Sequence, residues 1–586
     1  MIVPMKRITL ICLASDREKT VRRLCDLGVV HVTNLRPPES RDLEISRGHL
    51  GQIKRALDIL PASTHAKPTG LHADTVVSLI WTLIQEKNEL EDRLEVLSQE
   101  HIRLAPFGNF EPEALGVLSR HGVEVRFFHL PPKAEPKAPA GWVLVETSRT
   151  KTRTSVALVG SGPLEFSGTE VKPGDRSLRS IEEEQRELQA QLQEIEQAIM
   201  AYAGDRPSLA GIVRDVEERV QFLETRDGMG ATAPIAYLRG FAPEDAEPAL
   251  LEAARTHGWG VRVEDPDPSE DVPTLIRNPR WVEPIRAVFE GINILPGYRE
   301  VDIGAAFLVF FSIFFAMIIG DAGYGLIFLA ATLWGWKKNP QAPRYIFHLL
   351  LLTSSATILW GTLTGTWFGA ARLPGLLEAA KVGWLQFDDN LMRMCFLIGA
   401  VHLTIAHVWN SIRLGVSPAV LGQIGWIGTT WTMYFAARNM IVNDPWPPFI
   451  GWIFLTSVIL IVLFMTPVRK LKTEWLNHVM LPLNLISNFV DVVSYIRLFA
   501  VGTATYAVAS AFNEMALGAG INSVLTGLLA AVILLFGHTL NILLGAMGVL
   551  VHGVRLNTLE FSSHLGLQWS GFPYRPFAHR PIPPGS

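Results

Sequence analysis

The chain has 586 residues, with 52 Lys and Arg against 56 Asp and Glu, and a formal net charge of −4. Only 22 of these charged side chains fall in residues 303–568, about 8% of that stretch and too few for a soluble domain; the rest of the chain carries an ordinary share of about 27%. Half of the chain is therefore expected in water and half in a membrane, which excludes a soluble enzyme, a secreted disulfide scaffold, a mostly disordered protein and a strongly basic nucleic-acid binder.

Residues 6–35 read strand, helix, strand (KRITLICL, SDREKTVRRLCDLG, VVHVTNL), with Gly28 where a helix end favours positive φ. The opening apolar run is too short for a signal peptide, so the first half is expected in the cytoplasm. Cys12, Cys25 and Cys395 have neither CxxC nor metal-ligand spacing and read as buried small hydrophobes in a reducing compartment. Two long helical stretches follow. One carries Val76, Ile80, Leu83, Leu90, Leu94, Leu97 and Leu104, with Lys87 and His101 in the gaps. The other carries Leu178, Ile181, Gln185, Leu188, Leu192, Ile195, Ile199 and Tyr202 in an unbroken 3-4 seam. Neither buries its seam alone, so residues 75–104 and 177–204 are expected to form an antiparallel two-helix coiled coil.

Between them, 105–172 is strand-like and turn-rich (GVEVRFFHL, GWVLVETS, RTSVALVG), a small distal α/β lobe. Residues 230–264 return to strand, helix, strand, and 207–285 is expected to join 1–70 in a proximal lobe. The first part, 1–285, is thus expected to be a cytoplasmic α/β two-lobed dumbbell. A two-helix interaction domain of some other membrane protein also fits this half. No GxxxxGK(S/T), GxGxxG or HExxH occurs, so no cofactor is expected and the chain should not hydrolyse ATP itself.

Residues 286–586 are expected to form an α-helical polytopic membrane domain. Apolar spans fall at 303–319, 322–337, 345–368, 392–413, 421–437, 449–466, 478–516 and 521–565. Eight spans put both termini on the cytoplasmic side. Loop charges agree, with Lys337, Lys338, Arg344, Arg469, Lys470 and Lys472 inside, and Arg372, Lys381 and Arg438 outside beside Glu378, Asp388, Asp389 and Asp444. The last two spans are too long for a straight crossing: 39 helical residues reach roughly 58 Å against a core of about 30 Å, so tilt or projection is expected.

Those two spans also hold the ionisable residues. The first carries Asn484, Ser487, Asn488, Asp491, Ser494, Tyr495, Arg497 and Glu514; the second carries His538, Asn541, Gly545, Gly548, His552 and Arg555, which at this spacing share one helix face. An arginine in mid-membrane costs at least about 2.5–3.5 kcal/mol on insertion scales and marks an ion path. Arg497 lies midway along its span, with no Lys or Arg within twenty residues. Arg555 lies near the cytoplasmic end, where snorkelling also explains it, and His538 and His552 fit a packing role as well. Asp321 reads as a helix cap at the membrane face.

SYIRLFAVG (494–502) followed by LNILLGAMGVLVHGVRLNTLEF (540–561) resembles the membrane subunit, a or I, of rotary V-type and archaeal-type ATPases. IIGDAGYG (318–325), WGTLTGTWFG (360–369), a tail containing YRPF and the N-terminal MKRITLICLASDREKTVRRLCDLGVVHV look like the prokaryotic form, so the resemblance spans the chain. It implies that Arg497 is the stator arginine facing a rotor ring, that Arg555 is the second arginine and His552 its neighbour one turn earlier. It places Asp491, Asn484 and Asn488 along the half-channel toward the outside. Some relatives carry a carboxylate near Asn484, and eukaryotic ones a Glu where Gly545 stands, which makes Asp491 the surviving acid. His538 and Glu514 complete the candidate ion-translocation residues.

The resemblance also implies partners: a rotor ring of small membrane subunits, peripheral stalks, a central-stalk adaptor, an ATP-hydrolysing head reached indirectly, and the bilayer of the cell membrane, with no nucleic acid. A rotor carboxylate passing a guanidinium at 4 Å gains about 4 kcal/mol at an effective dielectric near 20. The expected function is therefore coupling of ATP hydrolysis or synthesis to movement of H⁺ or Na⁺. A secondary transporter with a regulatory cytoplasmic domain would show paired broken helices in two halves, and a non-transporting scaffold would tolerate loss of the arginines.

Overall fold

The computed structural model describes residues 1–61, 67–132, 134, 136–466, 472, 475–518, 520 and 523–579. Arg469 and Lys470, expected in an inside loop, lie outside the described residues. The chain begins with β1 (Met5–Leu13), α1 (Arg17–Leu27), β2 (His31–Thr33), α2 (Arg41–Ile59) and α3 (Ala73–Leu104). Then come α4 (Pro112–Arg120), β3 (Glu124–Leu130), β4 (Trp142–Arg149), β5 (Thr154–Gly160), β6 (Thr169–Val171), α5 (Leu178–Ala201) and α6 (Arg206–Gly228). A second strand–helix–strand run follows: β7 (Gly230–Thr232), β8 (Ile235–Pro243), α7 (Glu247–His257) and β9 (Gly260–Glu264). One sheet has the order β2-β8-β1-β9, with β7 on β8, and the other is antiparallel, β4-β5-β3-β6. Gly28 ends α1 at φ 64°, as the sequence predicts.

The remainder is helical: α8 (Arg286–Gly291), α9 (Gly304–Ile319), α10 (Ala322–Lys338), α11 (Arg344–Thr364), α12 (Gly375–Ala379), α13 (Asp388–Leu414), α14 (Ala419–Val442) and α15 (Ile450–Phe464). After α16 (Trp475–Val479) come α17 (Leu481–Ser494), α18 (Ile496–Leu517), α19 (Val524–Gly548) and α20 (Ser562–Leu565). The chain divides into two compact units, one of residues 1–8, 240–251 and 262–576, the other of 9–239, 252–261 and 577–586.

In the second unit, α3 and α5 bury the seam the sequence predicts. Leu97, Leu104, Ile181 and Leu188 form one cluster; Val76, Ile80, Ile84 and Ile199 join Ile53, Ala56 and Leu209 from α2 and α6 in another. Lys87 pairs with Glu196 at 2.7 Å and His101 meets Glu182 at 3.3 Å, so the polar gaps in the stripe become cross-helix contacts. The helices α2 and α6 are additions to the sequence reading. At the end of α6, the buried Asp227 accepts from Arg17 at 2.9 Å, Arg226 at 2.8 Å and Ser40 at 2.6 Å, tying three segments together. All three cysteines are free and buried, and burial, with Glu218 and Asp26 adding, pushes the Cys25 thiol up to about 11.

In the first unit, helices occupy all eight expected spans. Four are long and apolar enough to cross a membrane: Arg344–Thr364, Asp388–Leu414, Leu481–Leu517 and Val524–Leu565; Gly304–Ile319 and Ile450–Phe464 are shorter apolar helices. α9 is apolar on every face and is accordingly a core helix, with Phe307, Phe314, Ile318 and Ile319 buried. GDAGYG separates two helices: Gly320 ends α9 at φ 69°, and the buried Asp321 caps α10 through the amides of Gly323 and Tyr324. The other Asp321 oxygen accepts from Gly369 at 3.1 Å, and a Cβ on Gly361 would lie 2.1 Å from the Ala322 nitrogen. The two glycine motifs are therefore one close-packed corner.

Asp444, in the loop after α14, is clamped by Arg393 at 2.7 Å and Arg438 at 2.6 Å. Hydrogen bonding by Arg393, then Arg438, holds its carboxyl at about 2 against an ordinary 3.8. A depressed carboxylate contributes stability above its unfolded value and loses it as pH falls through its folded value. The melting-temperature gap between the wild-type chain in detergent and Asp444→Asn should accordingly stay constant from about pH 7 to 5 and close between about 4 and 2. A gap unchanged by acid would show that the clamp is not electrostatic.

Candidate functional site

Two departures from regular α-helix build the site. The first is at Tyr495, where the long seventh span breaks into α17 and α18. Ser494 Oγ donates to the Asp491 carbonyl at 2.7 Å, and the Arg497 Nε donates to the Ser494 carbonyl at 3.0 Å, so the guanidinium satisfies backbone freed by the break. Tyr495 is wholly buried, its hydroxyl 2.8 Å from Nδ1 of His402, and His402 is stacked between Phe310 and Phe561.

The second departure is in the last span. After α19 the helix widens into π turns over Val549–Gly553 and Leu556–Phe561 before α20, a form that concentrates at functional sites. This changes the expected face. His538, Asn541, Gly545, Gly548 and His552 stay on the packed side, but beyond the first π turn the buried positions become Gly553, Leu556, Asn557 and Glu560, and the side chain of Arg555 is 53% exposed. The shared α-helical face therefore ends at His552.

The wide turns bring in a residue that the sequence reading passed over. Glu560, with only 5% of its side chain exposed, accepts from Arg497 Nη2 and lies 3.5 Å from Arg555 Nε. The cluster holds two guanidinium groups and one carboxylate, a formal charge of +1. Among the described residues the second Glu560 oxygen is buried without a partner, as is Nδ1 of His552.

A second cluster gathers around Asp491. Its Oδ2 lies 3.1 Å from His564 Nε2; His564 Nδ1 lies 3.0 Å from His407 Nε2; and His407 Nδ1 lies 2.9 Å from Gln423 Oε1. Asn410 holds the His564 carbonyl at 2.8 Å. Asn488 is buried nearby between Thr429 and Thr430 and cross-links α14 with α17. A third cluster surrounds His538: Tyr324 Oη at 2.7 Å on one ring nitrogen and Asn513 Oδ1 at 3.2 Å on the other, with Asn541 donating to Tyr324 at 3.0 Å. A cavity of about 270 Å³ lies beside α18, lined by Thr364, Lys381, Asp388, Phe499, Gly502 and Tyr506.

Of the residues expected from sequence, Arg497 and Arg555 meet at Glu560, while Asp491, Asn488 and His538 enter other polar clusters. Asn484 and Glu514 are exposed and join none of them. Glu560, His564, His407, Tyr324 and Gln423 were not singled out, although a carboxylate and histidines within apolar spans are themselves a signal. Among the described residues no group of three or more His, Cys, Asp or Glu is placed to hold a metal ion.

The chain has homologues along its whole length. It is 29% identical to V-type ATP synthase subunit I 1 of Treponema pallidum, with 99% of this chain and 100% of that one covered. It is also 29% identical to V-type ATP synthase subunit I of Borreliella burgdorferi, over 98% and 99%. The A-type ATP synthase subunit I of Methanocaldococcus jannaschii is 26% identical over 59% of this chain and 56% of its own. Among solved structures, a crystal structure of the cytoplasmic N-terminal domain of subunit I, homolog of subunit a, of V-ATPase covers 44% of this chain and 99% of that one, at 16% identity and a TM-score of 0.25. No protein-family model matches the chain.

Removing one partner of a buried ion pair is strongly destabilising. Glu560→Gln should lower the stability of the chain in detergent by on the order of 3 kcal/mol. Combining it with Arg497→Gln should cost less than the two single losses together, read by chemical denaturation. Strict additivity would show that the two side chains are not coupled.

Proposed function

We propose that the chain is the membrane stator subunit of a rotary V/A-type ATPase or ATP synthase, the part that passes H⁺ or Na⁺ to and from a rotor ring. One observation carries the reading: Arg497, inside an apolar span, is held at a helix break by a buried carboxylate that it shares with Arg555. The full-length relatives named subunit I support it. In this reading the chain hydrolyses no ATP; that falls to other subunits of the complex.

A rotor carboxylate reaching the cluster would meet a net charge of +1, enough to favour its ionised form and discharge its ion. Glu560 halves the formal positive charge, so the carboxylate is attracted without being locked in place. Arg497 cannot deprotonate, so it also separates the two ion routes. The domain of 286–586 would cross the cell membrane eight times, α17 to α20 running steeply along the ring, with both termini inside. The shorter α9 measures about 24 Å against a core of about 30 Å and relies on its neighbours for cover. The cytoplasmic arm of 1–285, with its coiled coil of 75–104 and 177–204 between a distal lobe (105–172) and a proximal one, would contact peripheral stalks and resist torque.

In this reading the expected loop charges divide the polar groups between two routes. With Lys472 on the inside, as the charge pattern leads one to expect, α17 would start at the cytoplasmic face, and Asp491 with His564, His407 and Gln423 would lie on an inner route, where the resemblance implies an outer one for Asp491. His538, Tyr324, Asn513 and Asn541, with the 270 Å³ cavity, then belong to the outer route, and His552 lies between.

Arg497→Ala is expected to abolish ATP-driven ion uptake by inverted vesicles while the complex still assembles with its ATPase heads. Arg497→Lys should be poor as well, because burial lowers a lysine pKa. Undiminished uptake by an intact Arg497→Ala complex would overturn the stator reading.

A further inference from the structure

The YRPF motif of the tail (574–577) has no role in the stator reading, yet its two aromatic residues are both anchored. In the first unit Tyr574 packs against the cluster of Met5, Phe241 and Val272, and its amide donates to the Thr274 carbonyl at 3.0 Å. From Phe577 onward the chain belongs to the second unit. There Phe577 is 2% exposed and donates its amide to the Val30 carbonyl at 2.8 Å, between α1 and β2. Ala578 lies over Gly28, where an added Cβ would come within 3.0 Å of the Ala578 Cβ. Gly28 thus has two uses: it takes the positive φ that ends α1, and it leaves room for the tail.

His579 follows. Its Nδ1 lies 3.2 Å from Glu218 Oε2 on α6, and its Nε2 lies 3.3 Å from Asp26 Oδ1 in the last turn of α1. A neutral imidazole has one N–H and serves one of these carboxylates; only the imidazolium donates to both. The C-terminal end of α1 favours a cation there as well. Hydrogen bonding to Glu218, then to Asp26, holds the imidazole above its ordinary 6.5, against the opposing effect of burial. The other charged groups around the tail are largely spent on one another. On α1, Arg22 pairs with Glu18 at 2.8 Å and Arg23 with Asp26 at 3.5 Å, beside Lys19 and the uncharged thiol of Cys25. On α6, Arg226 is held by Asp227 and Asp215 faces Arg214 at 3.9 Å, beside Arg219. Arg575 lies on the tail itself. Arg23 therefore competes with His579 for Asp26.

We infer that residues 574–579 form a pH-sensitive latch, by which the second unit holds the chain that follows the last span: firmly while His579 is an imidazolium, loosely once it is neutral. The step is the loss of one proton from a ring nitrogen to water, and no other bond is broken. A group whose pKa is raised by its docked partners stabilises docking below its ordinary value, and that contribution is lost as pH rises through the raised value. The latch is accordingly tight in mild acid and eases toward alkaline pH. Phe577 carries no charge and holds at every pH, so the tail loosens without leaving. The inference does not depend on the stator reading.

The test is hydrogen exchange of the tail amides in the full chain in detergent, read by mass spectrometry on a peptide covering 574–579 and corrected for the intrinsic rate at each pH. Protection should fall about fivefold between pH 6 and 8.5, the upper range for an exposed ion pair, because the His579 side chain is 63% exposed. His579→Gln should show the low protection at both ends of the range, and His579→Lys, charged throughout, the high one. Asp26→Asn combined with Glu218→Gln should remove the step. Phe577→Ala should lower protection at both pH values alike. A flat wild-type profile, or a step that survives in His579→Gln, would overturn the latch, and full protection in Phe577→Ala would overturn the docking itself. Exchange needs neither a ring nor ATP, so failure here leaves the stator reading standing, just as normal uptake by Arg497→Ala would leave the latch standing.

Discussion

A guanidinium keeps its charge at every physiological pH, and the first unit is organised around keeping that charge out of hydrocarbon. Arg497 has three sources of relief: the freed Ser494 carbonyl, the buried Glu560 carboxylate and partial exposure. Each requires an irregular helix. The break at Tyr495 supplies the carbonyl, and the π turns rotate Glu560 inward while leaving Arg555 outside. Regular helices at both places would put the carboxylate and the carbonyl on the wrong faces.

Irregular helices need a rigid platform. That is the role of α9, apolar all round and packed against α11, α18 and the first π turn. The corner made by Asp321, Gly361 and Gly369 fixes the start of α10 against the end of α11. From there Tyr324 reaches His538 and Asn541. The glycine motifs that first look like signatures are thus spacers: Gly361 admits a backbone within a distance that no side chain permits.

Much of this was legible in the sequence. The Leu178–Tyr202 seam declared itself because a two-helix contact tolerates only 3-4 spacing, and the strands of 124–160 because short β-branched and aromatic runs there are separated by turn residues. Arg497 was legible as a lone cation in an apolar run. What escaped has two physical causes. The π turns have no periodic code of their own, so an α-helical wheel puts Arg555 on the packed face and gives no reason to single out Glu560. His407 and His564 are 157 residues apart, and a pairing at that separation depends on tertiary packing of α13 against α20, which local pattern does not express. Asn488 was legible as polar, but its bonds to Thr429 and Thr430, which cross-link α14 and α17, were not.

The exposed Arg555 has a consequence for the life of the protein before it works. A half-uncovered guanidinium on the flank of an apolar helix is tolerable only against another protein or water. In the stator reading, a newly made copy alone in lipid carries, wherever Arg555 does not reach the aqueous boundary, a visible defect at the surface through which it would join the ring. Assembly removes the defect, whereas a copy that never finds its partner keeps it. If the proposed rotor ring is what covers Arg555, the same side chain distinguishes finished complexes from orphans, and biogenesis is expected to favour insertion of the two together.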